Sequence, residues 1–335
     1  MYHALNRGKG SVAFPFRDAD AHLKLRKLIA SSDVLVESFR PGTLEKMLKI
    51  NHITDLLEAN PKLVVARISG FGEKCPDPGH DLNFVAAAGV LGMMHKPSTL
   101  PVQYANIAGG AWPAALQIVA ALYQRDSKDD SSSSNLPSTN RLIDVKMAVG
   151  AHAALVLPIA RRSINPDEKV GGGVDFLCGR GALYGVFETK GGGAISIGAL
   201  EPHFWANLCK VAELKDYSME DAFHNPLARQ EVQEAMLQLT APEWESKLLQ
   251  ANVPAHRVVS PEESVAHLEA LTGDTLTVSV DVTVSNTKST SQGDAKSDET
   301  KSTVLKLPKF PLILGTPASA PAPRLGVDNK TFFEK

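Results

Sequence analysis

Cysteine is scarce in this 335-residue chain. The three present, Cys75, Cys178 and Cys209, are odd in number, widely spaced and free of CxxC pairs, which argues against a disulfide framework and a cysteine-based zinc site. His95, His256 and His267 show no ligand spacing and His152, in an Ala-rich helical run, reads as a packed or surface histidine, so no metal is expected. No Lys/Arg-rich block occurs and the formal charge is -2, which leaves a nucleic-acid partner without electrostatic support. GxGxxG is absent, and with it the dinucleotide fingerprint. The opening "MYHALNRGKG" has no apolar signal core, no run reads as long and apolar enough to span a bilayer, and the closing "FFEK" is not a peroxisomal signal. The expectation is an intracellular, soluble protein whose address, whether cytoplasmic, peroxisomal or mitochondrial, is not written in the sequence.

What is there is ordinary globular material. Hydrophobic residues make up 43% and charged residues 21%, enough to bury large cores, and the length predicts two domains. From Ser11 to about Ser69, strand-like and helix-like segments alternate: "SVAF", "DADAHLKLRKLIASS", "DVLVES", "GTLEKMLKINHITDLLEAN", "KLVVARIS". That alternation predicts a parallel sheet covered by helices, with ligands at its strand-to-helix turns. "DLNFVAAAGVLGMM" and "IAGGAWPAALQIVAALYQ" read as buried helices, and "RLIDVKMAVGAHAALVLPIARRS" as a further helix.

Clustered glycines in "NPDEKVGGGVDFLCGRG" mark a boundary. Beyond it, "ALYGVFET" and "GAISIGAL" flank a hairpin signal, "KGGG". Helical patterns run from Glu201 to about Gln250, and "DTLTVSVDVTVSN" alternates as a half-exposed strand should. The predicted organisation is a large domain over 1–165 with a Ser-rich loop at 126–140, a linker at 166–180, a small domain over 181–314 with a polar loop at 286–302, and a segment over 315–335 that returns to the large domain. No internal repeat is visible.

Two constellations invite chemistry. In "PGHDLNF", Asp81 is placed to cap an apolar helix and His80 to project from its first turn, where unpaired N–H groups and the helix dipole stabilise ligand charge. The plain alternative is a structural helix start. In "GALEPHFW", Glu201 stands between a strand and a helix, either as a helix-dipole partner or as a carboxylate orienting an imidazole base.

The ordered segments "LNRGKGSVAF", "SDVLVESFRPGTLEKM", "NPKLVVARISGFG", "GHDLNF", "AGG", "FETKGGGAISIGALEPHFW" and "PAPRLG" resemble the family III CoA-transferases, and among them the α-methylacyl-CoA racemase branch. The resemblance implies an α/β fold: a Rossmann-like large domain with a parallel sheet, plus a smaller α+β domain, in an interlinked homodimer. It implies proton exchange at the α-carbon of a 2-methylacyl-CoA thioester through an enolate, with His80 as one acid/base and Glu201 supporting it from the partner subunit. Gly79, His80, Asp81, Leu82, Asn83 and Phe84 match the thioester-binding stretch, and Phe14, Pro15, Phe16 and Arg17 a nucleotide-contacting one. No cofactor is implied beyond the coenzyme A of the substrate.

Two departures from the family pattern stand out. The second acid/base of the racemases, and the nucleophile of the transferases, is an aspartate before Gly-Gly; the matching residue here is Asn106. An amide neither carries the proton nor attacks as a carboxylate does. The family's first βα unit, with an arginine that contacts a CoA phosphate, also precedes the point at which this sequence starts, so the large domain is expected to be N-terminally shortened. Three functions therefore stand side by side: a racemase or epimerase impaired at Asn106, a CoA transferase, and an acyl-CoA-binding relative without chemistry.

Overall fold

The structure is a computed structural model, and it describes residues 5–6, 8–13, 20–127, 138–285, 300–308 and 328. The chain divides into two compact units, Leu25–Val258 and the pair of segments Met1–Lys24 and Val259–Lys335.

Within Leu25–Val258 a three-stranded parallel sheet has the order β1 (Val34–Glu37), β2 (Val64–Ser69), β3 (Leu142–Lys146). Its central strand reads VVARIS and is buried through its first four residues, Val64 to Arg67, as befits a parallel strand covered on both faces. Val65 packs with Ile29, Leu44, Leu48, Ile53, Leu56 and Leu57 on one face. These come from helices α1 (Ala21–Ala30), α2 (Thr43–Leu48) and α3 (Thr54–Ala59) and the residues between them. Val64 and Ala66 turn the other way, to Ala114, Ala121, Ile143 and Val145. Each fully buried Val or Leu contributes about 1.5–3 kcal/mol. Among the described residues, 11–13 of the predicted "SVAF" strand are not in a strand.

"RLIDVKMAVGAHAALVLPIARRS" corrects the expectation of one helix. Its first part is β3, in which Ile143 and Val145 are buried and alternate with Asp144; helices α6 (Met147–Ala153) and α7 (Val156–Ile164) follow. A five-residue period of two was hidden by the longer helical run behind it.

Between β2 and β3 come α4 (Asp81–Ala87), a π-helix (Ala105–Ala111) and α5 (Trp112–Asp126). The last two join into one 22-residue helical stretch that is long and apolar enough, by length and composition, to cross a membrane. This departs from the sequence expectation, although such length is shared by core helices of water-soluble folds. Ala114 and Ala121 pack it on the sheet. Its opposite face, expected to be buried, is open: Trp112, Leu116, Val119 and Tyr123 are each more than half exposed.

The same unit holds an antiparallel sheet, β4 (Tyr184–Glu188), β5 (Ala194–Gly198) and β6 (Ala255–Arg257). The hairpin turn falls on Gly191 and Gly192, both with positive φ, where glycine carries no steric penalty. Helices α8 (Pro202–Val211), α9 (Met219–His224), α10 (Pro226–Met236) and α11 (Ala241–Gln250) cover it. Phe187, Ile195, Ile197, Trp205, Leu208, Met236, Trp244 and Leu248 form its core.

In the second unit, α12 (Pro261–Thr272) starts at Ser260, whose hydroxyl accepts the Glu263 N–H, and ends at Gly273. Strands β7 (Thr277–Ser285) and β8 (Thr300–Pro308) pair antiparallel, so the polar loop expected over 286–302 gives its last three residues to β8. Residues 286–299 lie outside the described residues, as do 128–137 of the Ser-rich loop expected at 126–140. Asp126 itself ends α5, and Ser138–Arg141 form one helical turn. The Ser11 N–H donates to the Asp328 carboxylate at 2.7 Å.

Candidate active-site cleft

All three parallel strands point their C-terminal ends at one cleft of about 730 Å³. Ser38, Phe39, Arg40 and Pro41 follow β1, Ser69 and Gly70 end and follow β2, and Met147 follows β3; Cys75, Asp77, Gly79, His80, Asn83, Phe84 and Asn106 complete the walls. This is where an open α/β sheet exposes its loops to a ligand.

The loops are fixed from below by charge. Arg67 of β2, 5% exposed, donates from Nε to Glu37 at 2.7 Å, from Nη1 to Glu45 at 2.9 Å, and also from Nη1 to Glu73. Glu37 in turn accepts the Phe39 N–H at 2.8 Å. One guanidinium thus ties the end of β1, helix α2 and the loop after β2. Burial opposes the charge on Arg67, but the hydrogen bond and charge of Glu37, with Glu45 and Glu73, hold its pKa above the ordinary arginine value. A charge so buried is tolerable only because it is paired.

The Gly-His-Asp segment is arranged differently from its sequence reading. His80, in extended conformation, is itself the N-cap of α4, and its N–H donates to Asn83 Oδ1 at 3.0 Å. Its ring lies at the exposed cleft wall. Asp81, which the sequence placed as the cap, is 5% exposed and serves another helix. Its carboxylate accepts the Asn106 N–H at 2.7 Å and the Tyr104 N–H at 3.1 Å. Asp81 therefore binds the start of the π-helix to the residue next to His80, and so brings His80 and Asn106 to one cleft. The Asn106 Nδ2 donates to Gln103 Oε1 at 2.7 Å.

Glycine makes this closeness possible. A Cβ on Gly109 would stand 2.7 Å from the Ala151 N and collide with the Met147 carbonyl, and one on Gly150 would stand 2.6 Å from the Gly109 Cα. The π-helix and α6 meet backbone to backbone. Such π-turns recur at functional sites. The Phe84 ring fills the space that side chains on Gly70 and Gly79 would need, and meets Phe71 edge-on with centroids 5.3 Å apart.

Of the residues singled out in the sequence, Gly79, His80, Asn83, Phe84 and Asn106 line the cleft. Asp81 supports it from beneath and Leu82 is exposed without lining it. Glu201 is the exposed N-cap of α8 and is not among the lining residues, so the single chain does not bring it to His80. Phe14, Pro15, Phe16 and Arg17 lie outside the described residues. Sequence reasoning missed Arg40, Cys75 and Asp77. Arg40 stands in the quoted "SFRPG", and the prolines around Asp77 in "CPDPG" signalled a loop, yet nothing local said that either loop faces His80.

A family model, CoA-transferase family III, matches residues 1–315, and the chain belongs to that family. It is similar to the α-methylacyl-CoA racemase of Mus musculus, 30% identical over 250 residues that make up 72% of this chain and 62% of the racemase. The chain thus spans about three fifths of that relative's length. It is also similar to the (R)-2-hydroxy-4-methylpentanoate CoA-transferase of Clostridioides difficile, 25% identical over 82% of this chain and 69% of the relative. Racemases and CoA-transferases therefore both occur among its relatives. In fold it matches a crystal structure of a CaiB/BaiF family protein from Brucella suis, with TM-score 0.71 and 18% identity, over 98% of this chain and 82% of that one.

Proposed function

We propose that this member of CoA-transferase family III binds an acyl-CoA thioester in the cleft at the sheet edge and exchanges the α-proton of a 2-methylacyl group, as a racemase or epimerase does. The observation that carries the reading is the shared cleft wall of His80 and Asn106, held together by Asp81. His80 is the base that removes the α-proton. Asn106 faces the same cleft as a hydrogen-bond donor and acceptor, unable to deliver a proton, so inversion is slow. Positioned acid–base groups typically contribute about 10²–10⁴-fold, which sets the size of the impairment. The reading needs no cofactor beyond the coenzyme A of the substrate.

Glu201 enters this scheme from a second copy of the chain. Support comes from α5, where the stripe Trp112, Leu116, Val119, Tyr123, spaced by four, three and four, faces outward without cover. Such spacing suits a helix-packing seam. Homodimerisation is part of the proposal.

A second reading, an acyl-CoA-binding relative without turnover, is favoured by one observation: among the described residues that line the cleft, Asp77 is the one carboxylate, and it stands in the loop before His80 while position 106 carries an amide. Proton NMR of a 2-methylacyl-CoA in D₂O separates the two. Loss of the α-proton signal with the unaltered protein supports the exchange reading. Exchange only with Asn106→Asp, about 10²–10⁴-fold faster, leaves binding without turnover as the function; exchange with neither protein, together with no binding of CoA, overturns both.

A further inference from the structure

A second cavity in the Leu25–Val258 unit shares no residue with the cleft. It measures about 620 Å³ and is lined by His95, Gly172, Gly173, Val174, Cys178, Gly179, Arg180, His224, Pro226 and Arg229. Among the described residues, two guanidinium groups and two imidazoles line it, and no carboxylate does.

The charge of Arg229 is the decisive feature. Its side chain is half-buried, with Nη1 donating to the Gly181 carbonyl at 3.0 Å and Nη2 to the Val186 carbonyl at 3.4 Å, and its guanidinium lies 4.6 Å from the Phe187 ring centroid. Every one of these partners is neutral. Among the described residues no carboxylate lies within ion-pair distance of Arg229 or of Arg180. The acidic side chains nearest in sequence are occupied elsewhere: Asp175, five residues before Arg180, accepts from Arg161 at 2.6 Å and from the Leu177 N–H at 3.0 Å, and Glu231, two residues after Arg229, accepts the Lys215 N–H at 2.9 Å and the Tyr217 hydroxyl at 2.8 Å. A partly desolvated guanidinium without a counter-charge is costly, and an anion from solution would supply the missing partner.

The wall is built to stay open. The Gly172 N–H donates to the Gly92 carbonyl at 2.7 Å and the Gly173 N–H to the Met93 carbonyl at 2.9 Å. A Cβ on Gly173 would come within 2.7 Å of the His95 Cβ, whereas one on Gly172 would meet nothing. Both residues have positive φ, so side chains are excluded there on conformational grounds as well. The loop is thus pinned beside His95 and contributes no side chain to fill the space.

We propose that this cavity is a binding site for a phosphate-bearing small molecule. Guanidinium groups match phosphate oxygens through paired N–H donors, and a volume within the range of small-molecule pockets holds more than a bare ion. The site does not rest on the acyl-CoA reading of the cleft, and each cavity has its own reporter thiol: Cys75 in the cleft and Cys178 here.

The test uses the full chain with inorganic pyrophosphate as the probe, read by calorimetry and by the rate of thiol alkylation at each cysteine. The expected result is saturable binding that slows labelling of Cys178 and leaves Cys75 unchanged. Arg180→Gln, which removes an exposed side chain, is expected to weaken binding about tenfold or more without altering the thermal midpoint of the free protein. Arg229→Lys keeps the charge but loses the paired donors, and is expected to weaken binding as well. Absence of saturable binding, affinity unchanged in Arg180→Gln, or protection of Cys75 in place of Cys178 would each overturn the proposal.

Discussion

Arg67 and Arg229 stand in the same unit and solve the same problem in opposite ways. Arg67 is buried beneath the parallel sheet's edge among three carboxylates, Glu37, Glu45 and Glu73. Arg229 leans over Phe187 in the antiparallel half with only carbonyl oxygens as acceptors. The first arrangement is complete within the chain and serves as a fastening for the cleft loops. The second has no counter-charge among the described residues, which is the opening the proposed ligand would fill. Compensation inside the fold marks architecture; its absence marks a site.

The contrast is sharpest in stability. Arg67→Met removes the hub and leaves the buried Glu37 carboxylate, with Glu45 and Glu73 beside it, without a counter-charge, and is expected to cost about 3–5 kcal/mol; denaturant titration reads it directly. Asp81→Ala, which strips the acceptor from the Asn106 and Tyr104 N–H groups, is expected to cost about 1.5–3 kcal/mol and to weaken CoA binding at the cleft, as calorimetry on the same variant would report. Gly109→Ala forces the π-helix off α6 and is expected to cost about 1–3 kcal/mol. Arg229→Met should cost about 1 kcal/mol, since the loss of two charge-assisted hydrogen bonds to carbonyls and of a ring contact is offset in part by removal of a partly desolvated charge. A loss as large as that of Arg67→Met would break the comparison.

The smallest effect is in thiol reactivity. Burial first, then the charges of Asp216 and Glu231, push the Cys209 thiol up to about 11. At neutral pH and up to about two pH units below that value it stays protonated and unreactive. Alkylation at pH 8 followed by mass spectrometry is expected to leave Cys209 unmodified while Cys75, half-buried at the cleft, is labelled.

How much of this was legible in the sequence depends on how local each signal was. β1, β2 and the β4–β5 hairpin announce themselves through apolar runs and turn glycines within a few residues. β3 does not, because five alternating residues lead straight into a helix. The three-residue β6 is too short to carry a period at all. At the site, "GHDLNF" drew notice to His80 and Asp81, but the cap and the clamp exchanged roles: which of two adjacent residues turns inward depends on the position of Tyr104 and Asn106, more than twenty residues on. Arg40 and Asp77 reach the cleft by topology alone. The lack of a carboxylate beside Arg229 among the described residues is a statement about what surrounds it in space, which a sequence cannot express.

The grip of Asp81 falls on main-chain amides only. The Asp81 clamp is therefore indifferent to the side chain at 106, and an aspartate there would lose only the donation from Nδ2 to Gln103 Oε1. In evolutionary terms one nucleotide change separates the two residues, so a lineage can shed the carboxylate and recover it with only one exposed side-chain hydrogen bond gained or lost. On the proposed reading, activity at this cleft is a heritable setting rather than a property welded to the architecture.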